Sequence, residues 1–264
     1  MFAVIHWNVN PEIFPELLPI RWYGLLFMSG FVLGYYLLEK VFKQEGKAVT
    51  LLDSLSMYVG IGTIAGARLG HCLFYEPAYY LSNPIEILKI WEGGLASHGA
   101  VVGILLANYL YGKKYAQTGF FWVTDRLVMV VALAAALIRI GNLMNSEIVG
   151  APTDLPWGFV FERLGDATPR HPSQLYEALF YLLSFGILYR AYWKQQAGKF
   201  AGRMFGMFLM LIFGFRFVIE FIKDVQVDFE KGMALNMGQW LSLPLILLGF
   251  WLWYRSRQSE LKGA

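Results

Sequence analysis

The stretch VMVVALAAALIRIGNLMNSEIVG, Val128–Gly150, decides how the chain is read. It is apolar for more than two turns of helix, then sets Arg139 inside the run and follows it with Asn142, Asn145 and Glu147. Such a pattern makes sense only once the surrounding solvent is known. Of 264 residues, 57% are hydrophobic and 16% charged, and the mean hydropathy is +0.46, so that solvent is lipid. An all-α integral membrane protein is expected, folded as a single polytopic domain over 1–264.

A helix needs roughly 20 residues to cross a bilayer. Seven candidate runs lie near 22–38, 55–75, 98–112, 119–140, 173–193, 203–223 and 238–254. The third and the last are short, and the third contains Asn108. The opening MFAVIHWNVNPEIFPELLPI has no basic start and carries two glutamates and three prolines, so no cleaved leader is expected. Basic residues are retained on the cytoplasmic side. Alternate loops are basic, holding Lys40, Lys43 and Lys47, then Lys113 and Lys114, then Arg190, Lys194, Lys199 and Arg203, then Arg255, Arg257 and Lys262. The others carry Glu12, Glu16, Glu76, Glu86, Glu92, Glu147, Asp154, Glu162, Asp166, Asp224, Asp228 and Glu230. Seven spans with this alternation put the N-terminus outside and the C-terminus in the cytoplasm. The net charge of +3 is then a topology signal, not a sign of nucleic acid.

The longest outer loop, roughly 142–172, is rich in Gly, Pro and Asp and large enough for a small external cap. PEIFPELLPI and NPIEILKIW are amphipathic and read either as segments lying in the interface plane or as plain loops. With orientation set, polar residues gain a depth. Tyr23, Arg68, His71, His98, Arg139, Asn142, Asn145, Gln174, Glu177, Arg216 and Glu220 all fall toward the outer leaflet. Asp125 and Arg126, near the cytoplasmic start of their span, read as a structural pair.

An arginine at the bilayer centre costs about 2.5–3.5 kcal/mol even on insertion scales. A lone arginine can snorkel, and Arg216 and Glu220 have the i, i+4 spacing of a simple pair. Three arginines converging with glutamates and histidines at one depth point further. Planar, permanently charged guanidiniums suit phosphate, and the phosphates of the outer leaflet are phospholipid headgroups. A pocket for an anionic lipid is expected.

The residues then resemble a family. RIGNLMNSEIVG, from Arg139 to Gly150, resembles the signature of the prolipoprotein diacylglyceryl transferases. Further pieces follow in that family's order: RWYGLLF from Arg21, AGARLGHCLFY from Ala65, GGLASHGAVVG from Gly93, RHPSQLYEALF from Arg170, FRFVIEF from Phe215 and MGQWLSLP from Met237. The resemblance implies seven spanning helices in a bacterial inner membrane, a periplasmic cap and a site open to the outer leaflet. It implies transfer of the sn-1,2-diacylglyceryl group of phosphatidylglycerol to the lipobox cysteine of a prolipoprotein signal peptide, releasing sn-glycerol-1-phosphate. A thiol with a pKa of about 8.5 reacts as thiolate, and an imidazole near 6.5 suits its deprotonation. His98 is the candidate base. Arg139 and Arg216 are expected on the phosphate, with Asn142, Asn145 and Gln174 as hydrogen-bond donors and Glu147, Glu177 and Glu220 holding the arginines. Tyr23, Arg68, Gly150 and Tyr176 join the substrate-binding set by the same resemblance.

The substrate brings the nucleophile, so the single Cys72 is expected to be a small buried residue. His6, His71, His98 and His171 lack metal-ligand spacing, so neither metal nor other cofactor is expected. One departure stands out. The family commonly has a tyrosine one turn before the arginine of its sixth span, whereas this chain reads IFGFR, with Ile212 and Phe213. Whatever that hydroxyl does in the family is either absent here or supplied by another residue, with Tyr23 and Tyr176 as candidates. A phospholipid transporter or scramblase is the alternative reading, although it should show more polar residues through the inner leaflet. A retinal protein is excluded by the absence of lysine from GQWLSLPLILLGFWLWY.

Overall fold

The computed structural model describes residues 4–15, 18–115, 119–224 and 232–263. Glu16, Asp228, Glu230 and the Lys262 side chain from the loop charges above lie outside that description. Helices occupy each of the seven candidate runs: α1 (Trp22–Gln44), α2 (Val49–Phe74), α4 (Ser97–Lys114), α5 (Phe120–Met144), α6 (Ser173–Gln195), α7 (Arg203–Ile219) and α8 (Met237–Gly263). A short α3 (Pro77–Ser82) follows α2. By length and composition, α1, α2, α5 and α7 with its last turn to Ile222 can cross a membrane. The others carry more polarity: α6 starts with Ser173, Gln174 and Glu177, and α8 runs on into Arg255, Arg257 and Glu260.

The expectation of an all-α protein needs one correction. Short strands β1 (Ile5–Trp7), β2 (Glu12–Phe14), β3 (Leu18–Arg21) and β4 (Phe159–Phe161) form two small sheets. PEIFPELLPI is therefore not a plain loop, because β2 and β3 pair antiparallel there. Its prolines forbid a continuous helix, while Ile and Phe favour extended backbone. NPIEILKIW forms two 3-10 turns, Pro84–Leu88 and Ile90–Glu92, whose Ile85, Leu88 and Trp91 are exposed.

The chain divides into two compact units, Leu37–Arg126 and Met1–Tyr36 with Leu127–Ala264. In Leu37–Arg126, α2 and α4 touch backbone to backbone. Gly62, Gly66 and Gly70 of α2 face Gly99, Gly103 and Ala107 of α4, and a Cβ on Gly62 would lie 2.7 Å from the Gly103 oxygen. Lipid gives no hydrophobic drive between helices, so small residues that let backbones approach supply the attraction. Arg126 finds its partner in Glu45, with Nε 2.9 Å from Oε1 and Nη2 3.0 Å from Oε2, and its guanidinium stacks over Trp122. Cys72 is fully buried, as expected.

In the other unit, β1 pairs in parallel with β4, tying the N-terminal segment to the loop expected as a cap. Leu143, Phe159 and Phe161 form its core with Trp7, Val149 and Leu175, and the Trp7 indole donates to the Leu143 oxygen at 3.0 Å. A Cβ on Gly141 of α5 would lie 2.9 Å from the Tyr23 ring, so α1 begins against the end of α5.

Candidate functional site

The end of α5 is built by its own backbone. Ser146 N–H donates to the Leu143 oxygen and Glu147 N–H to the Asn142 oxygen, with Ser146 left-handed at φ 55°. This is a Schellman stop, which usually takes glycine at the left-handed position. Ile148 is left-handed too, at φ 56°. A β-branched residue there is strained, and such strain persists only where surrounding contacts hold it. The contacts come from α6: Ser173 Oγ donates to the Ile148 oxygen at 2.8 Å, and Gln174 Nε2 to the Glu147 oxygen at 2.6 Å. The turn sends the Glu147 carboxylate back to α5, where it accepts from Asn142 Nδ2 at 2.7 Å and Asn145 Nδ2 at 3.2 Å. Asn142 Oδ1 in turn accepts from Arg139 Nη1 at 3.0 Å.

One turn into α6, Glu177 is completely buried. Its Oε2 lies 3.1 Å from Arg139 Nε and its Oε1 3.1 Å from Lys223 Nζ. Lys223 also reaches Glu220 Oε1 at 3.1 Å, and Asn236 Nδ2 donates to Glu220 Oε2 at 3.0 Å. Asn236 is itself fixed as the start of α8: its Oδ1 accepts the Gln239 N–H and its N–H donates to Gln239 Oε1, a reciprocal capping box. A Cβ on Gly238 would sit 2.8 Å from the Glu220 carboxylate carbon, so only glycine lets that carboxylate approach. Buried charge is tolerated when paired and hydrogen-bonded. The ends of α5, α6 and α7 and the start of α8 meet in a chain of alternating charge: Arg139, Glu177, Lys223, Glu220, Arg216.

The two arginines at its ends differ. Arg139 is held by Asn142 and Glu177, and its side chain is 18% exposed. Arg216 lies 3.8 Å from Glu220, its side chain is 41% exposed, and its Nε has no hydrogen-bond partner among the described residues.

Gly150 closes the signature by joining three segments. Its N–H donates to the His171 oxygen, it bridges Lys223, and a Cβ would lie 2.5 Å from His171 Cβ and 2.9 Å from the Ile222 oxygen. The Tyr176 hydroxyl accepts from the Trp157 indole at 2.9 Å and lies 3.5 Å from His171 Nδ1. Arg170 pins this loop to the chain after α7, bonding Asp166 at 3.1 Å and Asp224 at 2.8 Å. The hydrogen bond from Arg170 holds the Asp166 carboxyl below its usual range and raises Arg170 in turn.

Arg68 and His98 belong to the unit Leu37–Arg126. Arg68 is buried and gives its guanidinium to backbone: Nε to the Ile87 oxygen at 2.9 Å, Nη1 to Gly93 at 2.6 Å and Nη2 to Glu86 at 2.6 Å, with Tyr80 stacked at 5.0 Å. It shapes the loop after α3. His98 is exposed at the first turn of α4, between the rings of Phe74 and Tyr75. Sequence reading missed Lys223, Asn236 and Tyr181. The Glu220–Lys223 spacing of i, i+3 was a usable signal for the first; the others announce themselves only in three dimensions.

Apolar helices whose ends gather a buried ionic chain define an integral membrane protein. The chain belongs to the prolipoprotein diacylglyceryl transferase family, whose model matches residues 11–255. It is 47% identical over 262 residues to a phosphatidylglycerol–prolipoprotein diacylglyceryl transferase of Chloroherpeton thalassium, covering 98% of this chain and 97% of that one. The protein of the same name from Tolumonas auensis is 48% identical over 259 residues, 97% and 99% of the two chains, and that of Porphyromonas gingivalis 46% over 269, 96% and 95%.

Proposed function

We propose that this chain transfers the sn-1,2-diacylglyceryl group of phosphatidylglycerol to the lipobox cysteine of prolipoproteins. The thiolate attacks the glyceryl carbon, the carbon–oxygen bond to phosphate breaks, and sn-glycerol-1-phosphate leaves with that oxygen, giving a thioether. The observation that carries the reading is the contrast between a tethered Arg139 and a more exposed Arg216 whose Nε has no hydrogen-bond partner among the described residues. A guanidinium held in advance stabilises charge that grows on the leaving phosphate without reorganising, and one with free donors binds the phosphate first. Asn142, Asn145 and Gln174 hold the turn that carries Glu147, and Glu177 and Glu220 set the arginines. Tyr23, Tyr176 and Gly150 frame the same end of the helices. His98 takes the thiol proton. Arg68 acts on the loop after α3 rather than on phosphate. No cofactor is assigned, since the nucleophile arrives with the substrate.

All seven long helices cross the bacterial inner membrane in this proposal, as one polytopic domain. The N-terminus and the cap at 142–172 face outside and the C-terminus faces the cytoplasm. The test places purified protein in phosphatidylglycerol vesicles with a lipobox peptide and follows adduct and glycerol phosphate by mass spectrometry. Both are expected together, and both are expected to vanish with Arg139→Ala or a Cys→Ser peptide. Movement of labelled lipid between leaflets without adduct would establish a scramblase in place of the transferase.

A further inference from the structure

Tyr181 lies one turn beyond Glu177 on α6, 4% exposed, and no part of the scheme above uses it. Its hydroxyl donates to Glu177 Oε1 at 3.2 Å, the oxygen that also takes Lys223 Nζ at 3.1 Å. With Oε1 held by two donors, the carboxylate plane is fixed and Oε2 is left facing Arg139 Nε. The ring is locked from α7: Phe180 stacks on Phe215 with centroids 4.0 Å apart, and Tyr181 meets the same Phe215 edge-on at 6.4 Å. Phe215 immediately precedes Arg216. One residue therefore touches the partner of the first arginine and the neighbour of the second. Tyr23 and Tyr176, at the outer ends of their helices, have no such contacts to Glu177 among the described residues.

We propose that Tyr181 is a positioning residue for the transfer: its hydroxyl fixes the Glu177 carboxylate so that Arg139 is aimed at the departing phosphate. The proposal rests on the transferase reading, and its test separates the two. Tyr181→Phe keeps the ring against Phe215 and removes only the hydroxyl. In the vesicle assay, kcat is expected to fall about 10-fold or more, as small misplacements of a catalytic group do, while KM for phosphatidylglycerol stays within about 2-fold because Arg216 carries ground-state binding. If Tyr181 works through Glu177, the double variant Tyr181→Phe/Glu177→Gln is no slower than Glu177→Gln alone, whereas a packing role gives effects that multiply. A second readout is independent of turnover. With 15N-arginine protein in nanodiscs, the Arg139 Nε–H resonance is expected to be sharp and protected from water exchange in the native chain, and broadened in Tyr181→Phe. An inactive native chain would overturn the transferase reading alone. Wild-type kcat in Tyr181→Phe, multiplying effects, an unaltered Arg139 resonance, or a lost fold in that variant would each overturn the positioning role.

Discussion

The α2–α4 pair and the α5–α6–α7 ends solve the same problem, holding helices together in lipid, by opposite means. In the first, side chains are removed until backbones touch, with Gly62, Gly66 and Gly70 against Gly99 and Gly103. In the second, charged side chains are inserted and matched one by one, from Arg139 through Glu177, Lys223 and Glu220 to Arg216. The glycine face is closed by backbone contact. The charged face ends in a guanidinium whose Nε has no hydrogen-bond partner among the described residues, and that difference is why the proposed phosphate contact is placed there. Two arginines of the same unit as the glycine face are also engaged: Arg68 by loop carbonyls and Arg126 by Glu45.

The sharpest break in this contrast is Lys223→Met, which leaves Glu177 and Glu220 without their shared cation. Removing one partner of a buried ionic set costs about 3–5 kcal/mol, and thermal unfolding in micelles should register it as the largest loss of stability. Next comes the glycine face. Gly66→Ala must push α2 from α4 and is expected to cost about 1–3 kcal/mol, whereas Gly60→Ala, with open space around it, should be neutral or slightly stabilising. Equal effects at the two positions in the same melts would refute backbone contact as the source of stability. Arg68→Lys keeps the charge but loses the planar fork, and about 1–3 kcal/mol of local stability with it. Hydrogen exchange should quicken around 84–94 and leave the ends of α5 and α6 unaltered.

The smallest effect concerns the cap. Asp166 has a folded pKa below its unfolded value because Arg170 bonds its ionised form. Its contribution is therefore present above the ordinary carboxylate pKa of about 3.9 and is lost as pH falls through the lower folded value. The Thr168 amide, which donates to Asp166 Oδ1 at 3.1 Å, should lose protection from exchange only in that acid window. Asp166→Asn should flatten the response.

Much of this contrast was legible beforehand. Arg139, Asn142, Asn145 and Glu147 stand out because polar groups inside an apolar run must have partners; the four-residue spacing of Gly62, Gly66, Gly70, Gly99 and Gly103 is present in the sequence too, but it is singled out only by the backbones that touch. The left-handed turn at Ser146 and Ile148 was not legible, since neither residue favours positive φ and the contacts that force it come from α6. Lys223 pairs with Glu177 across 46 positions, a distance that no local pattern encodes. The β2–β3 hairpin was hidden because amphipathic spacing in a short, proline-broken segment fits several backbones. For Arg68 a sequence records a buried charge but not the loop carbonyls that its guanidinium meets.

The most direct measurement is calorimetric binding of short-chain phosphatidylglycerol to the native chain, Arg216→Gln and Arg68→Gln, each with its fold verified by melting. If the charged helix ends meet the phosphate and the charges near α2 only build structure, Arg216→Gln weakens binding about 10-fold or more, the size of one lost charge-assisted bond, and Arg68→Gln binds as the native chain does. Native affinity in Arg216→Gln with loss in Arg68→Gln would contradict that division and move the phosphate site to the other unit.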